Sequence, residues 1–190
     1  MRAVSYHLHK EWQQVVERAV QNIIIQYYQA APSLRSVSFI LMLVEKQWKH
    51  IKQNVFDSPL HYYTVLAKTT DHLLQFLHPL FEKQCSPLLL FERIKCKSKW
   101  RKTYVDIDMA YIDNGEWIIR KFLLEEDETF CRHYKQMILT ACPQKFGFLP
   151  RKIEFCSLLN GTRHIECLSS LSAFHRVSKI KLFTCGRDFD

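Results

Sequence analysis

The chain has 190 residues, of which 47% are hydrophobic and 13% are aromatic, and this content excludes an intrinsically disordered protein. It has only 4 glycines and 6 prolines, which disfavours a fold built from many tight hairpins. The formal net charge of +8 favours a polyanionic partner, although a basic but otherwise ordinary surface explains the charge equally well.

The first half of the chain, residues 1–86, is predicted to be mostly helical. Apolar residues recur at i, i+3 and i+4 over residues 11–29, which is the pattern of an amphipathic helix with one buried face. Similar patterns cover residues 37–56 and 61–84, and an Asp-Ser-Pro sequence separates them. We therefore expect three helices in this half.

The second half, residues 87–190, consists of shorter apolar runs that are typical of β-strands. We expect three strands, a helix and a further strand pair, in that order, over residues 88–101, 103–112, 116–124, 125–146 and 151–168. An Asp-Asn-Gly sequence at 113–115 predicts a tight hairpin turn between the second and third strands. A helix or an amphipathic tail is expected to close the chain.

These elements predict one domain over residues 1–190, of the α/β (α+β) class. Its helical N-terminal half would pack on a central mixed sheet of about five strands that contains a crossover helix. Seven cysteines without a Cys-x-x-Cys spacing disfavour a disulfide scaffold and a zinc knuckle, so we expect reduced thiols and a cytoplasmic location. The N-terminus lacks a signal-peptide core, and the longest apolar run is too short to span a membrane, so we expect no membrane association.

The segment 88–101 carries five cations at alternate positions, and a strand would place all of them on one face. With the neighbouring Trp100, they are candidate nucleic-acid contacts: Arg93, Lys95, Lys97, Lys99 and Arg101. Such a face can follow a phosphate backbone, and Trp100 can stack on a base. The alternative is an edge strand whose charges discourage aggregation, and the sequence does not decide between the two.

The order of motifs in the second half resembles the RecB-like branch of the PD-(D/E)xK nuclease superfamily. Glu92 matches the glutamate of the first strand, and DIDMAYIDNG at 106–115 resembles the "GxID" strand and its turn, with Asp108 as the acid. QMILT, which begins at Gln136, resembles the "QLxxY" helix motif. The resemblance implies a restriction-endonuclease-like fold, in which the helices before the sheet include a helical insertion.

The resemblance also implies a catalytic site and a metal. Glu92, Asp108 and Gln136 would be its retained residues, and a divalent Mg or Mn ion would activate the attacking water. His7 or His9 would match the N-terminal metal-binding histidine and would share the metal with Asp108. An unpaired surface or capping role for the two histidines is the alternative.

The third strand departs from the "D/E-x-K" pattern of this family. Its sequence WIIRKFLL places Arg120 where the metal-binding acid belongs and Phe122 where the catalytic lysine belongs. Lys121 would then point to the opposite face, and it would need a bulge or a register shift to reach the site. We expect an Asp108–Arg120 ion pair to replace the metal site, since an arginine at this position repels a cation.

The sequence thus favours a catalytically degenerate nuclease-fold protein without a cofactor, which acts as a nucleic-acid-binding or scaffold module, with DNA as the expected nucleic acid. The alternative is an active Mg- or Mn-dependent DNA nuclease whose catalytic residues are displaced, with Lys121 as the substitute lysine. A third possibility is a protein partner, which would bind the apolar residues of the C-terminal tail: Phe174, Val177, Ile180 and Leu182.

Overall fold

A computed structural model describes residues 10–82, 85–97 and 102–168. These segments form four α-helices and five β-strands: α1 (Glu11–Gln29), α2 (Val37–Trp48), α3 (Pro59–Glu82), β1 (Leu89–Lys97), β2 (Lys102–Asp113), β3 (Glu116–Leu123), α4 (Glu128–Phe146), β4 (Lys152–Ser157) and β5 (Arg163–Cys167). The predicted mixed α and β class is confirmed. The closing helix or tail predicted after residue 168 lies outside the described residues.

The five strands form one mixed sheet in the order β1-β2-β3-β4-β5. The first three strands pair antiparallel as consecutive neighbours. Helix α4 then crosses over, so that β4 pairs parallel to β3, and β5 returns antiparallel to β4. The predicted five-stranded mixed sheet with a crossover helix is therefore confirmed.

The predicted helices differ from the observed ones mainly at their ends. Helix α1 has the predicted bounds, whereas α2 ends at Trp48 and a short 3-10 helix at Gln53–Val55 follows it. The apolar pattern continues beyond Trp48 because Ile51 and Phe56 are also buried, although they lie outside a regular α-helix. Among the described residues, no helix is both long and apolar enough to cross a bilayer.

Helix α4 begins at a defined cap. The Asp127 side chain accepts hydrogen bonds from the backbone N–H groups of Thr129 and Phe130. An aspartate in this position satisfies amides that the first helical turn leaves unpaired, and its charge complements the helix dipole. At the other end, Gly147 adopts a left-handed conformation and closes the helix.

The helices cover both faces of the sheet. Helices α1, α2 and α3 share a buried cluster with one face, and this cluster includes Ile23, Leu43 and Leu77 of the helices and Tyr111 of the sheet. Helix α4 forms a second cluster with the other face, where Ile138 packs in a group with Ile119 and Ile153. The sheet is therefore the middle of three layers.

The turn between β2 and β3 determines which residues of these strands face each other. Asn114 and Gly115 have positive φ angles of 52° and 75°, as a two-residue hairpin turn requires, so Asp113 pairs with Glu116. The ladder ends at the Met109–Arg120 pair. Beyond it, β3 continues to Leu123 and is paired with β4 on its other side. We call the point where the β2–β3 ladder ends the fork.

The alternation of side chains along β2 shifts at the fork. Val105 and Ile107 belong to the cluster beneath α4, whereas Met109 and Tyr111 belong to the cluster beneath the other helices. A regular strand keeps odd-numbered residues on one face, so the strand is irregular at Asp108. This irregularity positions the candidate functional site.

We predict that Gly161→Ala destabilises the fold more than Gly115→Ala. Both glycines have positive φ, where alanine costs about 1–2 kcal/mol. Only at Gly161 would the new methyl group meet a neighbour, His72 Nε2, at 2.5 Å, and that ring is held by a bond from Nδ1 to the Leu158 carbonyl oxygen. Urea unfolding of both variants gives the comparison, and equal losses would show that the His72 ring yields without cost.

Candidate functional site at the fork

Asp108 is the acid at the fork, and both of its carboxylate oxygens have partners. Oδ1 lies 2.6 Å from Lys121 Nζ, and Oδ2 accepts a hydrogen bond of 2.9 Å from the backbone N–H of Phe122. The side chain therefore takes a β3 amide where the ladder between the strands has ended. Asp108 is buried, with 6% of its surface exposed. Burial raises its pKa, and the nearby Lys121 charge and hydrogen bonds offset only part of that rise.

Lys121 extends between the two strands and helix α4. Its ammonium lies 5.6 Å from the centre of the Tyr134 ring, close enough for a cation–π contact. The Tyr134 hydroxyl in turn donates to the backbone carbonyl of Asp106. The expectation that Lys121 points away from Asp108 is wrong. The hairpin pairs Met109 with Arg120, so the next position brings Asp108 beside Lys121.

Arg120 lies on the opposite face of the sheet and has a different partner. Its Nη2 lies 2.6 Å from Oε2 of Glu154, the residue beside it in the parallel β3–β4 ladder. The Arg120 Nη1 donates to the Phe76 carbonyl oxygen of α3, and the Tyr111 hydroxyl donates to Glu154 Oε2. The predicted Asp108–Arg120 ion pair is therefore wrong, because the two side chains leave the sheet on opposite faces.

The Arg120–Glu154 pair is sealed from solvent, since each residue has 2% of its surface exposed. Burial alone would raise the pKa of Glu154, but the Arg120 charge and hydrogen bonds and the Tyr111 hydrogen bond outweigh it and hold the pKa below its ordinary value. A buried charge without such partners is strongly unfavourable. The pair therefore ties β3 and β4 to each other and to α3.

Glu154 was not among the predicted site residues, although the sequence around it carries a signal. KIEFCS places one acid inside an apolar strand, which is the same feature that drew attention to Asp108. An acid in such a position needs a buried partner. Arg120, inside the neighbouring strand, was the available cation.

The other predicted catalytic and metal residues are dispersed. Glu92 is exposed on β1 and Gln136 is exposed on α4, so the structure brings together only Asp108 and Lys121 of the four predicted catalytic residues. His7 and His9 lie outside the described residues. The predicted contacts Lys99, Trp100 and Arg101 also lie outside them, and Lys97 is the last residue of β1.

The described part of the predicted basic face belongs to the outer half of the β1–β2 hairpin. Arg93 forms a two-pronged ion pair with Asp106 on the facing strand, with distances of 2.6 Å and 3.1 Å. Lys95 is exposed, and Tyr104, its neighbour across the ladder, has 50% of its surface exposed. Asp106 thus neutralises one cation of the face, and an aromatic side chain lies beside the next.

The residues at the fork do not fit a divalent cation in this arrangement. A carboxylate 2.6 Å from an ammonium is already compensated, and the ammonium repels a second cation. Ile119, two residues before Lys121, is fully buried, and its side chain has no atom that can bind a metal. Within the described segments, no group of three or more histidine, cysteine, aspartate or glutamate side chains is arranged to hold a metal.

Comparison with known proteins does not assign the chain to a family. No protein-family model matches it, and no curated protein matches it.

We predict that Glu154→Gln lowers the free energy of unfolding by about 3–5 kcal/mol, because it leaves the Arg120 charge buried without a carboxylate. Glu116→Gln is the matched control, since Glu116 pairs with Arg151 at 3.3 Å on a half-exposed surface. An exposed pair of this kind contributes about 0–1 kcal/mol. Urea unfolding at pH 7 measures both, and a similar small loss in the two variants would contradict a stabilising role for the buried pair.

The lowered pKa of Glu154 also predicts how stability depends on pH. Its contribution is fully present above the unfolded-state value of about 4.3, and it is lost as the pH falls through the lower folded-state pKa. As the pH falls from about 5 to about 3, wild-type protein should therefore lose more unfolding free energy than Glu154→Gln. Asp108, whose pKa is raised, contributes to this pH dependence in the opposite sense, but it is present in both proteins and cancels when they are compared. Parallel pH profiles would contradict the prediction.

Proposed function

We propose that this protein is a nucleic-acid-binding module with a nuclease-like fold, and that it does not hydrolyse the nucleic acid it binds. The observation that carries the proposal is the Asp108–Lys121 salt bridge at the fork. The proposed family is the RecB-like branch of the PD-(D/E)xK superfamily.

The order of elements supports the proposed fold. Three helices precede the sheet, the sheet begins with three antiparallel strands, and a crossover helix leads to a closing strand pair. The resemblance in the sequence implies this same order. Asp108 also lies at the end of the β2–β3 ladder, beside Lys121 of the third strand.

The register of the hairpin supports a revised alignment with the "D/E-x-K" pattern. Lys121, beside Asp108, takes the lysine position, so that Ile119 stands where the second acid belongs. One carboxylate is thereby missing, and the lysine neutralises the other. Two-acid metal catalysis requires both carboxylates, so this arrangement favours binding without hydrolysis.

The outer β1–β2 surface supports nucleic-acid binding. Lys95 supplies an exposed cation, and the exposed Tyr104 ring beside it is suited to stacking on a base. The net charge of +8 adds a long-range attraction for a polyanion. Such a surface holds a phosphate backbone without reading its sequence, and DNA remains the proposed ligand.

An active Mg- or Mn-dependent nuclease is the second candidate function. One observation favours it: Lys121 lies within hydrogen-bonding distance of Asp108, as a lysine that orients an attacking water would have to lie near the metal-binding acid. A metal would then have to displace the ammonium from the carboxylate. Glu92 on the neighbouring strand is the available second acid.

We predict that Lys95→Ala weakens binding to DNA of any sequence. It should also reduce the steepness of the plot of log affinity against log salt concentration by about 1. Lys68→Ala is the matched control, because Lys68 is exposed on α3, in the helical layer, and loses the same charge. Fluorescence anisotropy at several salt concentrations, with single- and double-stranded oligonucleotides, measures both slopes. Equal slopes in the two variants would contradict the proposed surface.

We predict that the purified protein retains labelled DNA without cleaving it in Mg²⁺ or Mn²⁺. Asp108→Ala serves as the paired variant, because only cleavage at the fork requires that carboxylate. Cleavage by the wild type that disappears in Asp108→Ala would overturn the proposal and establish the second candidate. Neither cleavage nor retention of DNA or RNA would contradict both candidate functions and favour the scaffold alternative.

A further inference from the structure

The strand β5 forms one edge of the sheet and is largely exposed. In the part of the chain that the structure describes, it pairs with β4 alone. Ile165 has 41% of its surface exposed, which is high for a large apolar side chain at the centre of a strand. An exposed edge with an apolar centre is a template for pairing with a further strand.

Hydrogen bonding to β4 determines which backbone groups of β5 face outward. Thr162 accepts from Ser157 N–H, and Leu168 donates to the Arg151 carbonyl oxygen, so the two residues that flank β5 bond inward. Inward and outward groups alternate along an antiparallel strand. His164 and Glu166 therefore also bond inward, which leaves the N–H and C=O groups of Arg163, Ile165 and Cys167 directed away from β4.

The side chains of β5 are complementary to those of a second β5 strand that runs antiparallel to it. Pairing centred on Ile165 sets Ile165 opposite Ile165 of the second copy, and it sets His164 opposite Glu166. The Ile165 pair is then hydrogen-bonded through the outward groups. The His164–Glu166 pairs occupy the non-hydrogen-bonded positions, where facing side chains are closest.

Glu166 is already held in position for such a contact. Lys135 of α4 lies 2.7 Å from its Oε2, and His164 of the same strand lies 3.4 Å from its Oε1. Fewer side-chain rotamers are then lost when a second copy arrives. The opposite edge differs, because the same pairing of β1 about Lys95 would set two exposed lysines against each other.

We infer that β5 is a self-association edge, through which two copies of this chain join their sheets in a symmetric antiparallel dimer. The occupant of the edge is a second copy, since the strand is complementary to itself in hydrogen bonding, in charge and at its apolar centre. The interface repeats each contact twice about a twofold axis at Ile165, as a closed dimer requires. The inference is independent of nucleic-acid binding.

The first test is the mass of the 190-residue protein by sedimentation equilibrium over a range of concentrations. The wild type should approach twice the chain mass of 22.7 kDa, and Ile165→Pro should remain monomeric. Proline at this position removes only an outward N–H, so the pairing with β4 is retained. Ile165→Val, which keeps that N–H, is the control and should dimerise. A wild type that stays monomeric at high concentration would overturn the inference.

A charge exchange tests the register without a backbone change. His164→Glu places glutamates opposite glutamate, and Glu166→Lys places a lysine opposite His164, so each variant alone should dimerise at least tenfold more weakly. An equimolar mixture of the two variants should regain the dimer, because each facing pair again has one acid and one base. Dimerisation of each variant alone at wild-type strength, or a mixture that does not recover, would overturn the proposed register.

Discussion

The register of the β2–β3 hairpin is the constraint on which the site depends. A two-residue turn at Asn114 and Gly115 sets every pair along the ladder. It places Arg120 beside Met109, and therefore Lys121 beside Asp108. A slip of one residue would exchange the faces of β3 and turn the Arg120 charge toward α4. The buried Arg120–Glu154 pair opposes such a slip, because Arg120 would lose its carboxylate partner.

Two ion pairs thus lie back to back across the sheet, and they have different consequences. The Arg120–Glu154 pair is sealed between the sheet and α3, where it joins strands that are distant in the sequence. The Asp108–Lys121 pair lies at the fork, where the strands separate and helix α4 covers them. The first is a structural element. The second compensates the Asp108 carboxylate, and the proposal of binding without hydrolysis rests on it.

Local patterns predicted the elements well and the pairings less well. The uninterrupted apolar stripe of α1 gave its bounds, and the Asp-Asn-Gly turn gave the hairpin. The end of α2 was predicted too late, because Ile51 is buried although it lies in an irregular segment after the helix. The Asp108–Lys121 pairing can be counted outward from the turn, but motif alignment shifted it by one residue. Glu154 meets Arg120 across a parallel crossover, whose register no local pattern specifies.

Manganese binding by the folded protein tests the central claim most directly, namely that Lys121 holds the Asp108 carboxylate. Isothermal titration of Mn²⁺ into the wild type and Asp108→Asn compares the same surface with and without that acid. Since the ammonium already compensates the carboxylate, the two titrations should be the same. A site that binds Mn²⁺ in the wild type and is absent in Asp108→Asn would contradict the claim. It would favour the second candidate function, a metal-dependent nuclease.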